Sequence, residues 1–283
     1  MSEQALTLSI IIPVYNDERH LKKCLESIAV QSVVPDDVIV VDNNSNDGSA
    51  KLAHTYPFVR VITEKQQGIR YARAAGFDAA TTDIIGRIDA DTILLPNWTR
   101  QVKEIFENKK VMAVSGPVGY HDAPGEQVGL FVDQNLRQAM WRIGKKDDAV
   151  FLFGSNMALR RSAWESVRGD LCDRSDIHED IDIAIHMYDN GMPVIFDKTL
   201  IAYTSSRRMS DPVAQMIKYL KAYKNTYKVH GIESPAITLT TAIVLSTQYG
   251  VKLLRRGYDE ETRQFSLKKF IASEDDSRIS PIT

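Results

Sequence analysis

Short β-branched runs alternate with amphipathic stretches over the first 110 residues. Leu8-Ser-Ile-Ile-Ile-Pro-Val14 is one such run, ends in turn residues, and reads as a buried strand. Leu21, Cys24, Leu25 and Ile28 then recur at i, i+3, i+4 and i+7, which marks one face of a helix. Residues 37–42 form the next strand, and a polar turn at 43–48 leads into a short helix at 49–54. A third strand at 59–63, an Ala- and Arg-rich helix at 68–80 and a fourth strand at 83–88 follow. A helix at 96–108 turns Trp98, Val102, Ile105 and Phe106 inward, with Pro96 suited to its first turn. This order predicts an α/β fold, a mostly parallel Rossmann-like sheet flanked by helices. Such sheets bind ligands outside the carboxyl ends of their strands. Residues 13–16, 42–47 and 89–91 each follow a strand and are therefore expected at one shared site.

Beyond residue 116 the periodicity loosens, which divides the chain into a half at 1–115, a second half of the same domain at 116–208 and an extension at 209–283. The extension is expected to be helical. Lys218, Lys221, Lys224 and Lys228 run beside Tyr219, Tyr223 and Tyr227, the tyrosines at spacing four. Residues 205–258 carry nine Lys/Arg against two Asp/Glu, a face that suits an anionic membrane surface or equally the solvated flank of a packed tyrosine seam. The last stretch, 273–283, is expected to be disordered.

Composition narrows the class. With 283 residues, 43% hydrophobic and 25% charged, the chain can bury a core of one large or two ordinary domains. A net charge of −2 gives no basic field for nucleic acid. Cys24 and Cys172 make neither a disulfide framework nor a metal cluster by count, and fit a cytoplasmic protein with reduced thiols. The first apolar run is broken by Thr7, Ser9 and Pro13 and does not read as a signal peptide. The stretch 236–254 is too polar for a membrane span.

Six segments carry candidate chemistry. Asp89-Ala90-Asp91 follows an apolar strand, so its two carboxylates can splay toward a divalent cation; an acidic turn with a helix cap is the plain alternative. The polar run from Asp42 and Asn43 can bond a nucleobase or ribose, or merely form a turn. Pro13-Val14-Tyr15 offers a fixed strand exit and a stacking ring. Arg70 and Arg73 share a helix face and suit a diphosphate, or water. His178-Glu179-Asp180 supplies carboxylates for general-base work, or acids at a helix N-terminus. Arg207 and Arg208 precede the basic helix.

Together these segments resemble glycosyltransferase family 2, the inverting nucleotide-sugar transferases of GT-A fold. The carriers are Ser9-Ile-Ile-Ile-Pro-Val-Tyr-Asn16, Val40-Val-Asp-Asn-Asn-Ser-Asn-Asp-Gly48, Gly68 with Ala72-Arg73 and Gly76, Ile88-Asp-Ala-Asp91, Gly154-Ser-Asn-Met-Ala-Leu-Arg160 and Glu179-Asp180. Six weak motifs in register make a strong signal. The resemblance implies transfer of a sugar, with inversion, from a nucleotide diphosphate-sugar to a hydroxyl of a glycan or lipid-linked acceptor. Such work serves cell-envelope polysaccharide or glycolipid synthesis in the cytoplasm or at the inner face of the membrane. It implies Pro13, Val14 and Tyr15 at the base, Asp42 and Asn43 at base or ribose, and Arg70 and Arg73 at base or diphosphate. It further implies Asp89 and Asp91, with Ala90 between them, at the ribose and a Mn²⁺ or Mg²⁺ ion. Arg207 and Arg208 would steady the leaving diphosphate. Asp180 would be the catalytic base, with Glu179, His178 and Asn156 in the acceptor pocket. UDP-sugars are favoured as donors, with GDP- and dTDP-sugars next. Three departures stand out: Asn43 replaces a second Asp of many relatives, Ala74 replaces an Asn, and no His occupies 203–206.

Two other nucleotide enzymes fit poorly. A nucleotidyltransferase wants a Gly-rich basic first loop, and a dinucleotide oxidoreductase wants Gly-x-Gly-x-x-Gly after the first strand; neither is present. A non-catalytic binding module of the same fold, or a membrane-surface scaffold using the basic helix, are the readings from other classes.

Overall fold

A computed structural model describes residues 5–123, 130–131, 133–135, 152–232, 257–259, 262, 264–267 and 270. The stretch 236–254 and the tail 273–283 lie outside these residues. The first half follows the predicted alternation: β1 (Leu8–Val14), α1 (Glu18–Ala29), β2 (Asp37–Asp42), α2 (Ser49–Ala53), β3 (Val59–Thr63), α3 (Ile69–Ala79), β4 (Ile84–Arg87), β5 (Ile93–Leu94) and α4 (Trp98–Glu107). The second half contributes β6 (Ala113–Ser115), β7 (Val118–Tyr120), β8 (Met157–Arg160), α5 (Arg161–Val167), α6 (Glu179–Asp189), β9 (Val194–Phe196) and β10 (Ala202–Thr204). A 3₁₀ turn (Ser206–Ser210) and α7 (Val213–Val229) follow. The extension thus opens as a helix, but its described end is an antiparallel pair, β11 (Tyr258–Asp259) and β12 (Gln264–Phe265).

The main sheet has the order β3-β2-β1-β4-β8-β6-β9. Its first four strands are parallel, whereas β8 runs antiparallel to both neighbours. This is the mostly parallel, helix-covered sheet that the alternation predicts. β1 is buried at every position because both faces of the sheet are covered. Alternate residues serve two cores: Leu8, Ile10 and Ile12 face α1 and α4, while Ile11, Ile39 and Val41 face α3, α5 and α6. Gly76 brings α3 close to the sheet, since a Cβ there would stand 2.3 Å from the Ile11 side chain and 2.9 Å from that of Val41. The chain changes direction across the sheet between β1 and β4, so the loops after these strands flank a crevice at the switch point. A small sheet, β5-β10-β7, borders that crevice.

Candidate active site

Two strand ends supply the floor. Pro13 and Val14 are buried as the last residues of β1, and Tyr15 is half-buried beyond them. Asn16 and Asn44 have φ of 50° and 62°, a left-handed conformation that Asn tolerates better than most residues. They let both loops turn back sharply, and the loops then hold each other. Asn16 N–H donates to Ser45 Oγ at 3.0 Å, and Asn46 N–H donates to Asn16 Oδ1 at 2.8 Å. Asp42 is 6% exposed and accepts from Ser45 N–H at 3.2 Å.

Asn43 works differently from the expectation. Its Nδ2 donates to the carbonyls of Glu64 and Gln66 at 2.9 and 2.7 Å, and its Oδ1 accepts from Gly68 N–H at 2.7 Å. The amide fastens the loop that starts α3. A carboxylate could not make the two donations, which accounts for Asn in place of Asp.

The Asp89-Ala90-Asp91 turn leaves β4. Asp91 Oδ1 accepts from Thr204 Oγ1 at 2.8 Å, and Oδ2 meets Arg207 Nε and Nη2 at 3.1 and 3.0 Å. The same guanidinium forms an ion pair with Asp17, which His20 also contacts at 2.6 Å. Burial alone would raise Asp17, but hydrogen bonds from His20 and Arg207 and the guanidinium charge outweigh it and bring its pKa down to about 2. His121 brings an imidazole beside the turn, Nε2 to Asp91 carbonyl at 3.2 Å.

A second string of contacts runs through Arg87, a cation in an otherwise apolar strand. Its Nη2 donates to Asp89 at 2.9 Å and its Nη1 lies 3.1 Å from Glu179 Oε1. Gly154 makes room for it: a Cβ there would stand 1.6 Å from Nη1. Burial disfavours the charge on Glu179, but Arg87 and then Arg73 outweigh it and hold the carboxyl below the usual range. Glu179 and Asp180 open α6, where acids complement the helix dipole. Asp180 is half-buried, with Oδ2 accepting from Gly154 N–H and Oδ1 from Ile181 N–H, each at 2.9 Å. Among the described residues no arginine forms an ion pair with it, unlike its neighbour.

Five of the expected site residues are engaged with partners inside the protein. Arg73 is 4% exposed; it donates to the Glu179 carbonyl at 2.9 Å and lies 5.4 Å from the Trp164 ring centre, inside the core rather than at a diphosphate. Burial lowers its pKa to about 10. Asn156 is fully buried; Trp98 Nε1 donates to its Oδ1, and its Nδ2 donates to the Pro117 and Leu200 carbonyls. Its amide ties α4 to the segments that precede β7 and β10. His178 precedes α6, and its ring packs against Tyr219 and Tyr223 with Nε2 3.1 Å from the Tyr219 carbonyl. Arg70 pairs with Asp173, whereas Arg208 stacks 4.2 Å from the Tyr219 ring centre. The tyrosines therefore face α6, and Lys218, Lys221, Lys224 and Lys228 are exposed.

Arg87, Asp17, Thr204, His20 and His121 are the residues that sequence reasoning missed. Arg87 carried a signal, a lone charge inside an apolar run. The others are joined to Asp91 only by folding.

Asp89 and Asp91 suit a hard divalent cation, because both offer carboxylate oxygens and the orienting contacts fix Asp91 from two sides. A separate group lies away from this turn. Cys172, Asp182, His186 and His230 have ligand atoms within 4.8 Å of one another, a set able to hold a metal ion. Cys172 is grouped here with one Asp and two His, a combination that a cysteine count does not register.

The fold and the strand-end acids agree with relationship by sequence. The chain belongs to glycosyl transferase family 2, whose profile matches residues 9–168, more than half of its length. Glycosyltransferase AglE of Haloferax volcanii is 26% identical over 171 residues, 56% of this chain and 54% of that protein. The amylovoran biosynthesis glycosyltransferase AmsE of Erwinia amylovora is 29% identical over 127 residues, 42% of this chain and 48% of that one. The chain thus spans about half the length of these curated relatives. The structure is similar to the mannosyltransferase PcManGT of Pyrobaculum calidifontis, solved with GDP-Man and Mn²⁺. The TM-score is 0.63 at 17% identity over 89% of this chain and 72% of that one. It is also similar to S. aureus TarS solved with UDP-GlcNAc, with TM-score 0.56 at 15% identity over 71% of this chain and 59% of that one. Among the described residues, no helix is long and apolar enough to cross a membrane.

Proposed function

We propose that this chain transfers a glycosyl group from a nucleoside diphosphate sugar to a hydroxyl acceptor, with inversion and with Asp180 as general base. The observation that carries the reading is Arg87, which links Asp89 on the strand-end turn to Glu179 beside Asp180. Family membership and the nucleotide sugars of the structural relatives, GDP-Man and UDP-GlcNAc, support the donor class, and UDP, GDP and dTDP are the bases to compare.

Each residue then has a physical task. Asp89 and Asp91 would hold Mn²⁺ or Mg²⁺, whose positive charge would offset the negative charge growing on the departing diphosphate. Tyr15 and Asp42 border the nucleoside side. Arg207, released from Asp91 or shared with it, adds a fixed donor for the leaving group. Glu179, ionised between Arg87 and Arg73, holds the start of α6 in register. Asp180 takes the acceptor proton from the face opposite the leaving group, at about 2.6–3.2 Å in the productive complex. The acceptor is a saccharide or a lipid-linked sugar. The exposed lysines of α7 suit contact with an anionic membrane, which salt-sensitive pelleting with anionic liposomes would test.

The deciding experiment combines melting curves with UDP, GDP and dTDP, with and without Mn²⁺, and transfer assays on two variants. One nucleotide should raise the midpoint only with metal. Asp180→Asn should lose transfer by about 10²–10⁴-fold yet bind that nucleotide as before. Asp91→Ala should lose the metal-dependent binding. Full turnover by Asp180→Asn would refute the assignment of the base.

A further inference from the structure

We propose that Cys172, Asp182, His186 and His230 form a zinc-type metal centre that is separate from the Asp89–Asp91 turn and fastens α7 to α6. Asp182 and His186 stand four apart on α6 and therefore share one face. Cys172 comes from the segment before that helix, and His230 is the residue that ends α7. The chain thus converges from three places on one spot. His230 Nε2 lies 2.7 Å from Asp182 Oδ1, His186 Nε2 lies 3.6 Å from the same oxygen, and Cys172 Sγ lies 3.9 Å from His230 Nε2. Around an ion with bonds of about 2.0–2.3 Å, tetrahedral ligand atoms stand roughly 3.3–3.8 Å apart. Two of these separations already approach that spacing, and the third opens by about 1 Å when an ion replaces the Asp182–His230 hydrogen bond.

The donor types choose the ion. One sulfur, two imidazole nitrogens and one carboxylate oxygen form a set for zinc and not for Mg²⁺ or Ca²⁺, which take oxygen. Asp182 Oδ1 faces the cluster, while Oδ2 accepts from Cys172 N–H at 3.0 Å; that bond aims the carboxylate as an outer-shell partner does in metal sites. A purely hydrogen-bonded cluster leaves one group unexplained. His186 Nε2 is shut off from solvent and has no hydrogen-bond partner among the described residues. An ion bound to it removes that deficit. Loading expels the thiol proton of Cys172 and moves the His230 ring proton to Nδ1, so each ligand atom presents a lone pair. The centre would brace the helix whose first residues are Glu179 and Asp180.

The test strips the full chain with a chelator, then titrates it with Zn²⁺ and, separately, Co²⁺. The expected result is one zinc per chain that survives dialysis, a raised melting midpoint, and a cobalt adduct with sulfur charge-transfer absorption and intense tetrahedral bands. Cys172→Ser should lose the sulfur band, and His186→Asn should lose the retained zinc. Asp91→Ala should keep both, which separates this centre from the turn and from the proposed glycosyl transfer. The cobalt spectrum of the unaltered chain needs no variant to fold. An octahedral spectrum without a sulfur band, or no zinc retained, overturns the proposal. Zinc lost in Asp91→Ala and kept in Cys172→Ser overturns it as well.

Discussion

At Asn43 an amide meets two backbone carbonyls at 2.9 and 2.7 Å. Asn43→Asp turns a donor into a negative charge facing those oxygens. It should cost about 3 kcal/mol, since a buried polar group loses its partners and gains a repulsion. Urea denaturation measures this, and an unchanged midpoint would mean that the 64–68 loop is held by other contacts. The residue scale also explains what a sequence could not reveal. Arg73, Asn156 and His178 have the right types for ligand contact, yet each is turned into the protein by partners that lie far away in the chain. Residue type predicts bonding capacity; the direction of a side chain depends on packing.

Elements were legible where they are long and amphipathic. The predicted helices at 68–80 and 96–108 match α3 and α4 to within two residues at each end. β7, β8, β9 and β10 have three or four residues each, too few for a period to emerge, so the second half of the fold was not legible from pattern. Gly76 belongs to this scale because it sets the distance between α3 and the sheet. Gly76→Ala must push a methyl into Ile11 and Val41 and should destabilise the fold by about 1–3 kcal/mol. Equilibrium unfolding checks the size. Because α3 also carries Arg73 to the Glu179 carbonyl, transfer activity should fall further than stability alone accounts for.

Across the whole molecule, Arg207 joins Asp17 and Asp91, the former 190 positions away in the chain. The strand-end cluster was expected from the parallel pattern, but no local rule pairs residues so distant. This contact makes stability depend on pH with a definite sign. Asp17 titrates at about 2 in the folded protein against an ordinary 3.8, so its contribution is complete above pH 3.8 and disappears as pH falls through about 2. At 1.36 kcal/mol per pH unit, that contribution is about 2 kcal/mol. Stability measured from pH 5 to pH 2 should lose this amount in the parent chain. Asp17→Asn should start lower and show a flatter profile; parallel profiles would refute the linkage.

β8 runs against its neighbours, so Met157 at its start lies opposite Arg87 at the end of β4. His121 stands beside Asp91, and Gly154 stands beside Asp180. Both fixed points sit on the same rim. The two points are coupled through Arg87, which touches Asp89 on one side and Glu179 on the other, with Gly154 against its guanidinium.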